Sequence, residues 1–365
     1  MIGQEAIENT ILRGLAFLKK KQFKDGGFPC ETAQSINCTN ESMENFEERN
    51  SKGWVEKDDH SVYPSAITGL SLLYLQKYPD AELILKGISG FLTQNMCRFG
   101  VWNNFTRQHP WYPFSPFDVD NTSCASVFLT ARGISYPDNK TSLLSLKNRE
   151  GLFFTWFTFR WSWNTNPVYW YYVIKEMKNP VKSYMLWKYF ECDRDDVDAI
   201  VNNNLLLYFG VVKETQPIID NLVRVILEGK ELECDKWYLD PISIYYFISK
   251  NLEKGIPQLE PVKIPIKERI LAGLTPEGSY GGNSLETAFA ICALLSMGFY
   301  REIPKASIQY LLEKQKTTGA WERRLFMYGG PKRIMGWGSE ELTTSICLEA
   351  ISRYKDLSLV PENSK

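Results

Sequence analysis

The chain has 365 residues, 44% hydrophobic and 23% charged, with 42 basic and 43 acidic side chains for a net charge of −1. This is a globular composition, large enough to bury a substantial core, and no broad basic field exists to draw in nucleic acid. His60 and His109 are the only histidines, which excludes a three-histidine metal site. Residues 1–22 read as an amphipathic helix ending in Lys19, Lys20 and Lys21, with no secretory hydrophobic stretch. A cytoplasmic, reducing location is expected. The eight cysteines fit it: none form a Cys-x-x-Cys pair, so a structural zinc site is not expected, and several sit in apolar runs as buried thiols.

Helical periodicity dominates, and long alternating β-branched runs are missing. One unit recurs: an amphipathic helix, a Gly-x-aromatic turn, a loop, then a more apolar helix with a polar start. The first unit has a helix over 5–22, Gly26-Gly27-Phe28, then a helix over about 61–77. The second has 81–96, Gly100-Val101-Trp102 and 119–133. Two less regular pairs follow. One runs through the aromatic segment into 197–209, and the other joins 216–228 to 239–252. The last two units have 264–273, Gly278-Ser279-Tyr280 and 284–298, then 304–315, Gly319-Ala320-Trp321 and 339–354.

The second helix of each pair is apolar nearly all round, which requires burial on both sides. Six outer and six inner helices predict an all-α fold, an (α/α)6 toroid that forms one domain over residues 1–365. The loops 30–59 and 99–117 are long enough to be functional. The inner helices start at one rim with Asp118-Val119-Asp120-Asn121-Thr122, Asp196-Val197-Asp198, Asn283 to Thr287 and Ser339 to Thr343. Such residues cap helices; gathered at one mouth, they can also serve a site.

Aromatic residues total 50, and eleven of them fall in residues 151–173. Arg160, Asn164, Asn166 and Pro167 interrupt that segment, so it does not read as a membrane span.

The turns carry a further pattern. Arg13-Gly14, Phe17-Leu18, Gln22 and Gly26-Gly27-Phe28 share their spacing with Lys305-Ala306, Tyr310-Leu311, Gln315 and Gly319-Ala320-Trp321. Lys86-Gly87, Phe91-Leu92 and Gly100-Val101-Trp102 repeat it with Met96 in place of Gln. The spacing resembles the QW repeats of the squalene and oxidosqualene cyclase family. In line with that resemblance, Asp118-Val119-Asp120-Asn121 is similar to the Asp-x-Asp-Asp motif of class II terpene cyclases, which protonate an alkene. The resemblance makes Asp120 the general acid, with Asp118 and Asn121 orienting it and tuning its pKa. Asn121 departs from the family's final Asp. An ordinary Asp is ionised at neutral pH, so the acid needs a desolvated site. The resulting carbocation needs π-faces rather than water. Trp102, Trp111, Phe117, Trp156, Phe159, Trp161, Tyr169 and Trp170 are the expected substrate-binding lining, with Tyr112, Phe114 and Trp163 nearby. His60 is a further candidate for polarising the acid.

The implied substrate is an isoprenoid. No cofactor is expected, except Mg²⁺ if the substrate is a diphosphate. Arg160, Arg323, Arg324, Lys332 and Arg333 are the cations available to such a group. The family usually pairs this ring with another helical domain across the active site. The cavity here must therefore be closed by the long loops and the aromatic segment, or by a second subunit in a homodimer, and peripheral membrane contact is compatible with such a substrate.

Other toroid enzymes fit less well. Protein prenyltransferase β subunits and lanthionine-forming cyclases hold zinc with histidines that are missing here, and no Gly-Cys-Gly-Glu-Gln thioester occurs. The cluster Asp193-Arg194-Asp195-Asp196-Val197-Asp198 lacks the spacing of a class I diphosphate-metal motif and reads as a capped helix start. Two alternatives stay open. One is a carbohydrate-active (α/α)6 enzyme pairing carboxylates from Glu286, Glu340, Glu341 and Asp120. The other is a non-catalytic toroid that binds a lipid or a protein partner.

Overall fold

The computed structural model describes residues 3–34, 54–55, 61–160, 167–329, 332 and 335–358. Cys38, His60, Trp161, Trp163, Asn164, Asn166 and Arg333 lie outside them. Fourteen α-helices run through the described residues. They are α1 (Gln4–Lys21), α2 (Val62–Leu72), α3 (Pro79–Asn95), α4 (Val119–Ala131), α5 (Lys140–Leu144), α6 (Pro167–Met177) and α7 (Pro180–Tyr189), then α8 (Ala199–Phe209), α9 (Gln216–Glu228), α10 (Pro241–Glu253), α11 (Lys263–Ala272), α12 (Ser284–Ser296), α13 (Lys305–Lys314) and α14 (Glu340–Ser358).

Six of these close a ring. Helix α2 packs on α4, α4 on α8, α8 on α10, α10 on α12, α12 on α14, and α14 returns to α2. They are the helices whose sequences are apolar on nearly every side, and α2, α4 and α12 are buried along almost their whole length. The amphipathic helices α1, α3, α9 and α13 pack outside them, each burying one stripe.

The recurring turns have a shared atomic basis. Trp102 Nε1 donates to the Leu92 carbonyl at 2.8 Å, and Trp321 Nε1 donates to the Leu311 carbonyl at the same distance. Each indole thereby satisfies a carbonyl that the end of an outer helix leaves without an intrahelical partner. Gln22 Nε2 bonds the Gly26 and Ile84 carbonyls, tying α1 to α3, while Gln315 Nε2 bonds Gly319 and Thr10, tying α13 to α1. From the inner helices, Ser65, Thr122, Thr287 and Thr344 hydroxyls accept the backbone N–H of Phe28, Trp102, Tyr280 and Trp321. One polar side chain per inner helix therefore locks each turn.

The glycine of the turn is required. Gly26 has φ +94°, and a Cβ there would stand 2.0 Å from the Gly87 carbonyl oxygen. Gly26→Ala is expected to cost at least ~2 kcal/mol from backbone strain and this clash. Denaturant unfolding of the variant checks it.

Two features differ from the sequence expectation. A four-stranded sheet forms at the ring's mouth from β1 (Glu31–Gln34), β2 (Trp54–Val55), β5 (Arg324–Tyr328) and β6 (Met335–Ser339), in the order β2-β1-β6-β5. β3 (Phe117–Asp118) pairs with β4 (Trp156–Phe157) beside it. These strands are too short to show a readable alternation. The aromatic segment also supplies no outer ring helix. Its helical part is α6, which continues into α7 as a hairpin held onto the 99–117 loop: Lys175 Nζ donates to the Ser115 carbonyl at 2.8 Å and Ser183 Oγ to the Phe114 carbonyl at 2.9 Å.

Candidate active site

The inner helices α2, α4 and α8 bring their first turns to the mouth that the sheet rims. Asp118 ends β3 in extended backbone and caps α4. Its Oδ1 accepts the Asn121 backbone N–H at 2.6 Å, and its Oδ2 accepts the Asn121 side-chain amide at 2.5 Å. Asp120, in the first turn of α4, faces the ring interior. Its Oδ1 accepts from Asn204 Nδ2 of α8 at 2.7 Å, and its Oδ2 accepts from the Tyr238 hydroxyl at 3.2 Å. Cys124 Sγ lies 3.9 Å from Oδ1. Both carboxyls are buried, and no described lysine or arginine forms an ion pair with either.

Burial raises the Asp118 carboxyl from the ordinary 3.8 to about 7, against the pull of the Asn121 donors. Burial likewise raises Asp120 to about 6, against the Asn204 and Tyr238 donors. Two carboxyls this close, both desolvated, resist ionising together. Asp118 has both oxygens occupied by N–H donors, which is the bonding of a carboxylate. Asp120 meets one short amide bond and one long hydroxyl bond.

The two donors to Asp120 come from separate elements that one carboxyl joins. Asp235 Oδ2 accepts Ile200 N–H at 2.9 Å, in the first turn of α8. Its Oδ1 accepts the backbone N–H of Trp237 at 2.8 Å and of Tyr238 at 3.0 Å. Burial and the neighbouring Asp198 push Asp235 upward. Asp235→Asn would set an amide donor against one of these N–H groups. A stability loss of roughly 1–3 kcal/mol is expected, measurable by thermal melting.

Helix capping at the mouth is mostly as the sequence implies. Asp118 caps α4, Asn283 accepts Glu286 N–H at 3.0 Å, and Ser339 Oγ accepts Leu342 N–H at 3.0 Å. Asp198 is the exception. It makes no cap bond to α8 and accepts instead from Thr155 Oγ1 at 2.6 Å and from Lys236 N–H at 3.0 Å, leaving the cap to Asp235.

A cavity of about 80 Å³ opens onto the pair. Asp118, Asp120 and Asn121 line it, and Asn121 Oδ1 is buried with no hydrogen-bond partner among the described residues. Of the seven expected aromatic residues that are described, Trp156 alone reaches this lining. Trp102 is wholly buried in its turn. Phe117 lies in the core against Tyr171 and Tyr172 and beneath Lys175. The Tyr169 hydroxyl bonds Arg160 N–H at 2.7 Å, Trp170 is 39% exposed, and Phe159 is half-buried away from the cavity. Trp111 lines an outer groove of about 510 Å³ with Phe114 and Met185, and this groove shares Leu186 and Phe190 with the cavity. Trp161 is outside the described residues.

The aromatic wall is drawn from elsewhere: Tyr63 on α2, Phe105, Phe190, Trp237, Tyr238 and Trp337 on β6. Sequence reasoning missed these, together with Asn204. A signal existed for Asn204. It belongs to the run Asn202-Asn203-Asn204 in an otherwise apolar, buried helix, where each amide must find an internal partner. Asn202 pairs with Phe153, Asn203 with the Phe247 carbonyl, and Asn204 with Asp120.

The cations singled out from sequence are engaged away from the pair. Arg160 pairs with Asp195, Arg323 with Glu31 and Lys332 with Glu191, while Arg324 is buried in β5. Glu286, Glu340 and Glu341 do not line the cavity. Among the described residues no group of three or more His, Cys, Asp or Glu is arranged to hold a metal ion.

The sequence matches no family profile and no curated protein. Solved structures do match over nearly the whole chain. A protein from Actinoplanes superposes with a TM-score of 0.67 at 14% identity, covering 96% of this chain and 99% of its own. Type II terpene cyclase MstE from Scytonema gives 0.64 at 15%, covering 96% and 99%. The fold is that of a type II terpene cyclase. A variant of MstE in complex with geranylgeranyl dihydroxybenzoate, its substrate, gives a TM-score of 0.66 at 15% identity, covering 97% and 98%.

Proposed function

We propose that this chain is a class II cyclase, which closes rings in an isoprenoid by protonating one of its double bonds. The observation that carries the reading is the Asp120 carboxyl. It is buried, raised to about 6, without a cationic partner among the described residues, and set in an aromatic-walled hollow. An alkene is a very weak base, so its acid must hold a proton in a dry place. Asp118, raised to about 7 by the same burial, shares this desolvated helix start, and the two carboxyls resist ionising together.

The steps follow from that assignment. The Asp120 proton passes to an alkene carbon, the π pair becomes the new C–H bond, and a tertiary cation remains. A second double bond attacks the cation and closes a ring. Trp156, Trp237 and Trp337 line the cavity, and an indole face turned to the moving charge would stabilise it by about 0.5–2 kcal/mol. Loss of a proton from the final cation restores neutrality, so the product is an isomer of the substrate. The ligand of MstE supports an isoprenoid of about this class, one joined to an aromatic acid. A dry cavity of about 150 Å³ holds one benzene ring, so an isoprenoid must also extend beyond this cavity, and the neighbouring outer groove, which shares Leu186 and Phe190 with it, is the space proposed for the rest.

Incubation with squalene, farnesyl and geranylgeranyl diphosphates and geranylgeranyl dihydroxybenzoate, followed by mass spectrometry, tests the reading. A cyclised isomer of unchanged mass supports it. Turnover of an oligosaccharide panel, with none of the isoprenoids converted, would replace it with the carbohydrate-active alternative. In the wild-type enzyme the rate is expected to fall as pH rises through about 6, because the proton-bearing form of Asp120 is lost.

A further inference from the structure

We propose that the opposite mouth of the ring is a second ligand site, which takes an amphiphilic anion with an apolar body and a single carboxylate or phosphate head. A cavity of about 400 Å³ opens there, against about 80 Å³ at the Asp120 end. Its walls come from the later turns of the inner helices α2, α4, α8 and α10. Helices α2 and α10 are not adjacent in the packing order of the ring, so a space that both line lies in the bore. A core between apolar helices is normally filled by its own side chains; here Ile67, Val127, Leu207 and Phe247 line open space instead. A dry cavity of about 150 Å³ holds one benzene ring, so this volume suits an apolar body of about fifteen carbon atoms.

The charges around the cavity select the head group. Lys140, Lys250 and Lys254 line it against one carboxylate, Glu253. Lys250 is neutralised by Glu349, and Glu253 is engaged by Arg353 at 3.0 Å and by the Tyr74 hydroxyl at 2.7 Å. Lys140 and Lys254 are left without a carboxylate partner among the described residues. A lysine beside a helix C-terminus offsets the helix dipole, and Lys254, which donates to the Leu207 carbonyl at 3.2 Å, does so. That account does not reach Lys140. It opens α5, where the dipole disfavours a cation, and its ammonium lies over the Tyr208 ring at 5.1 Å and the Phe209 ring at 5.3 Å. Burial lowers the Lys254 amine, the direction expected of a cation that lacks a counter-charge. Two such amines at the mouth of an apolar cavity are complementary to an anion whose tail fills it. The cavity also touches what holds the acid. Asn204, which donates to Asp120 at 2.7 Å, lines it, and so does Phe247, whose ring meets Tyr238 edge-on at 5.4 Å. Tyr238 is the other donor to Asp120. A ligand here therefore bears on both donors and so on cyclisation, the one consequence that rests on the cyclase reading.

Binding itself is measured without substrate, so its failure is distinct from failure of that reading. Laurate, dodecyl phosphate and the uncharged dodecanol have saturated chains that no acid can cyclise, and each is titrated into the full chain by isothermal calorimetry. At least one of the two anions is expected to bind, one molecule per chain, at least ~10-fold more tightly than dodecanol. The tighter of the two names the head group. Lys140→Glu/Lys254→Glu should weaken anion binding at least ~10-fold and leave dodecanol unaffected. Both side chains are exposed, so the melting temperature should match the wild type. No saturable binding of either anion, dodecanol binding as tightly as the anions, or anion binding that the double variant retains overturns the proposal. In a cyclisation assay the bound anion should change kcat; purely competitive inhibition would overturn the proposal too, by placing the ligand in the Asp120 cavity.

Discussion

Asp120→Asn is expected to reduce cyclisation at least ~100-fold and to make the protein more stable at pH 8. An amide can accept from Asn204 and meet Tyr238, so the local hydrogen bonds survive, but it has no proton to give. The stability effect follows from linkage. The folded-state pKa of Asp120 is raised from 3.8 to about 6. A group raised in this way contributes its full stability below its unfolded value and loses it as pH rises through the folded one. Above pH 6 the wild type holds a buried, ionised carboxyl that costs roughly 3 kcal/mol relative to the unfolded chain. The variant is free of that cost. Thermal melts should therefore separate the two proteins at pH 8 and bring them together near pH 4. A group that loses activity and stability together would instead be part of the scaffold.

Trp321→Ala should be the most damaging single substitution outside the site, at about 3–5 kcal/mol. The indole is wholly buried, and its Nε1 satisfies the Leu311 carbonyl at the end of α13. Truncation opens a large cavity between outer and inner helices and strands that carbonyl without a partner. Trp102→Ala should behave alike, since Trp102 makes the same bond to Leu92. Urea unfolding measures both. Trp237→Ala, at the cavity wall, is the contrast: its change belongs in product distribution. If Trp321→Ala unfolded at the wild-type midpoint, the repeated turn would not be the element that joins the two layers.

The ring was legible because it is periodic. Glycine, Gln and aromatic residues recur at fixed spacing, and each has a local partner within one unit, as Gln22 and Gln315 show. The carboxyl pair was legible for a similar reason, since Asp118, Asp120 and Asn121 lie within four residues at one helix start. Its surroundings were not. Tyr63, Asn204 and Tyr238 reach Asp120 from α2, α8 and the loop before α10. No spacing in the chain relates them; only closure of the ring does. The aromatic segment misled for a physical reason. A high density of rings does not by itself make a cavity wall: four of the segment's eleven rings, Tyr169 to Tyr172, lie on α6 of the hairpin, and among its described rings only Trp156 lines the cavity. The same trait makes Trp102 a turn residue, because an indole N–H beside a helix end finds a carbonyl before it finds a cavity.

Running the reaction in D₂O tests the central claim most directly. If Asp120 delivers a solvent-exchangeable proton to the alkene, each product molecule gains one deuterium on a carbon that was part of the initiating double bond. The mass rises by about 1 Da, and Asp120→Asn yields no labelled product. A cyclised product formed in D₂O without deuterium, or labelled product from Asp120→Asn at the wild-type rate, would contradict it.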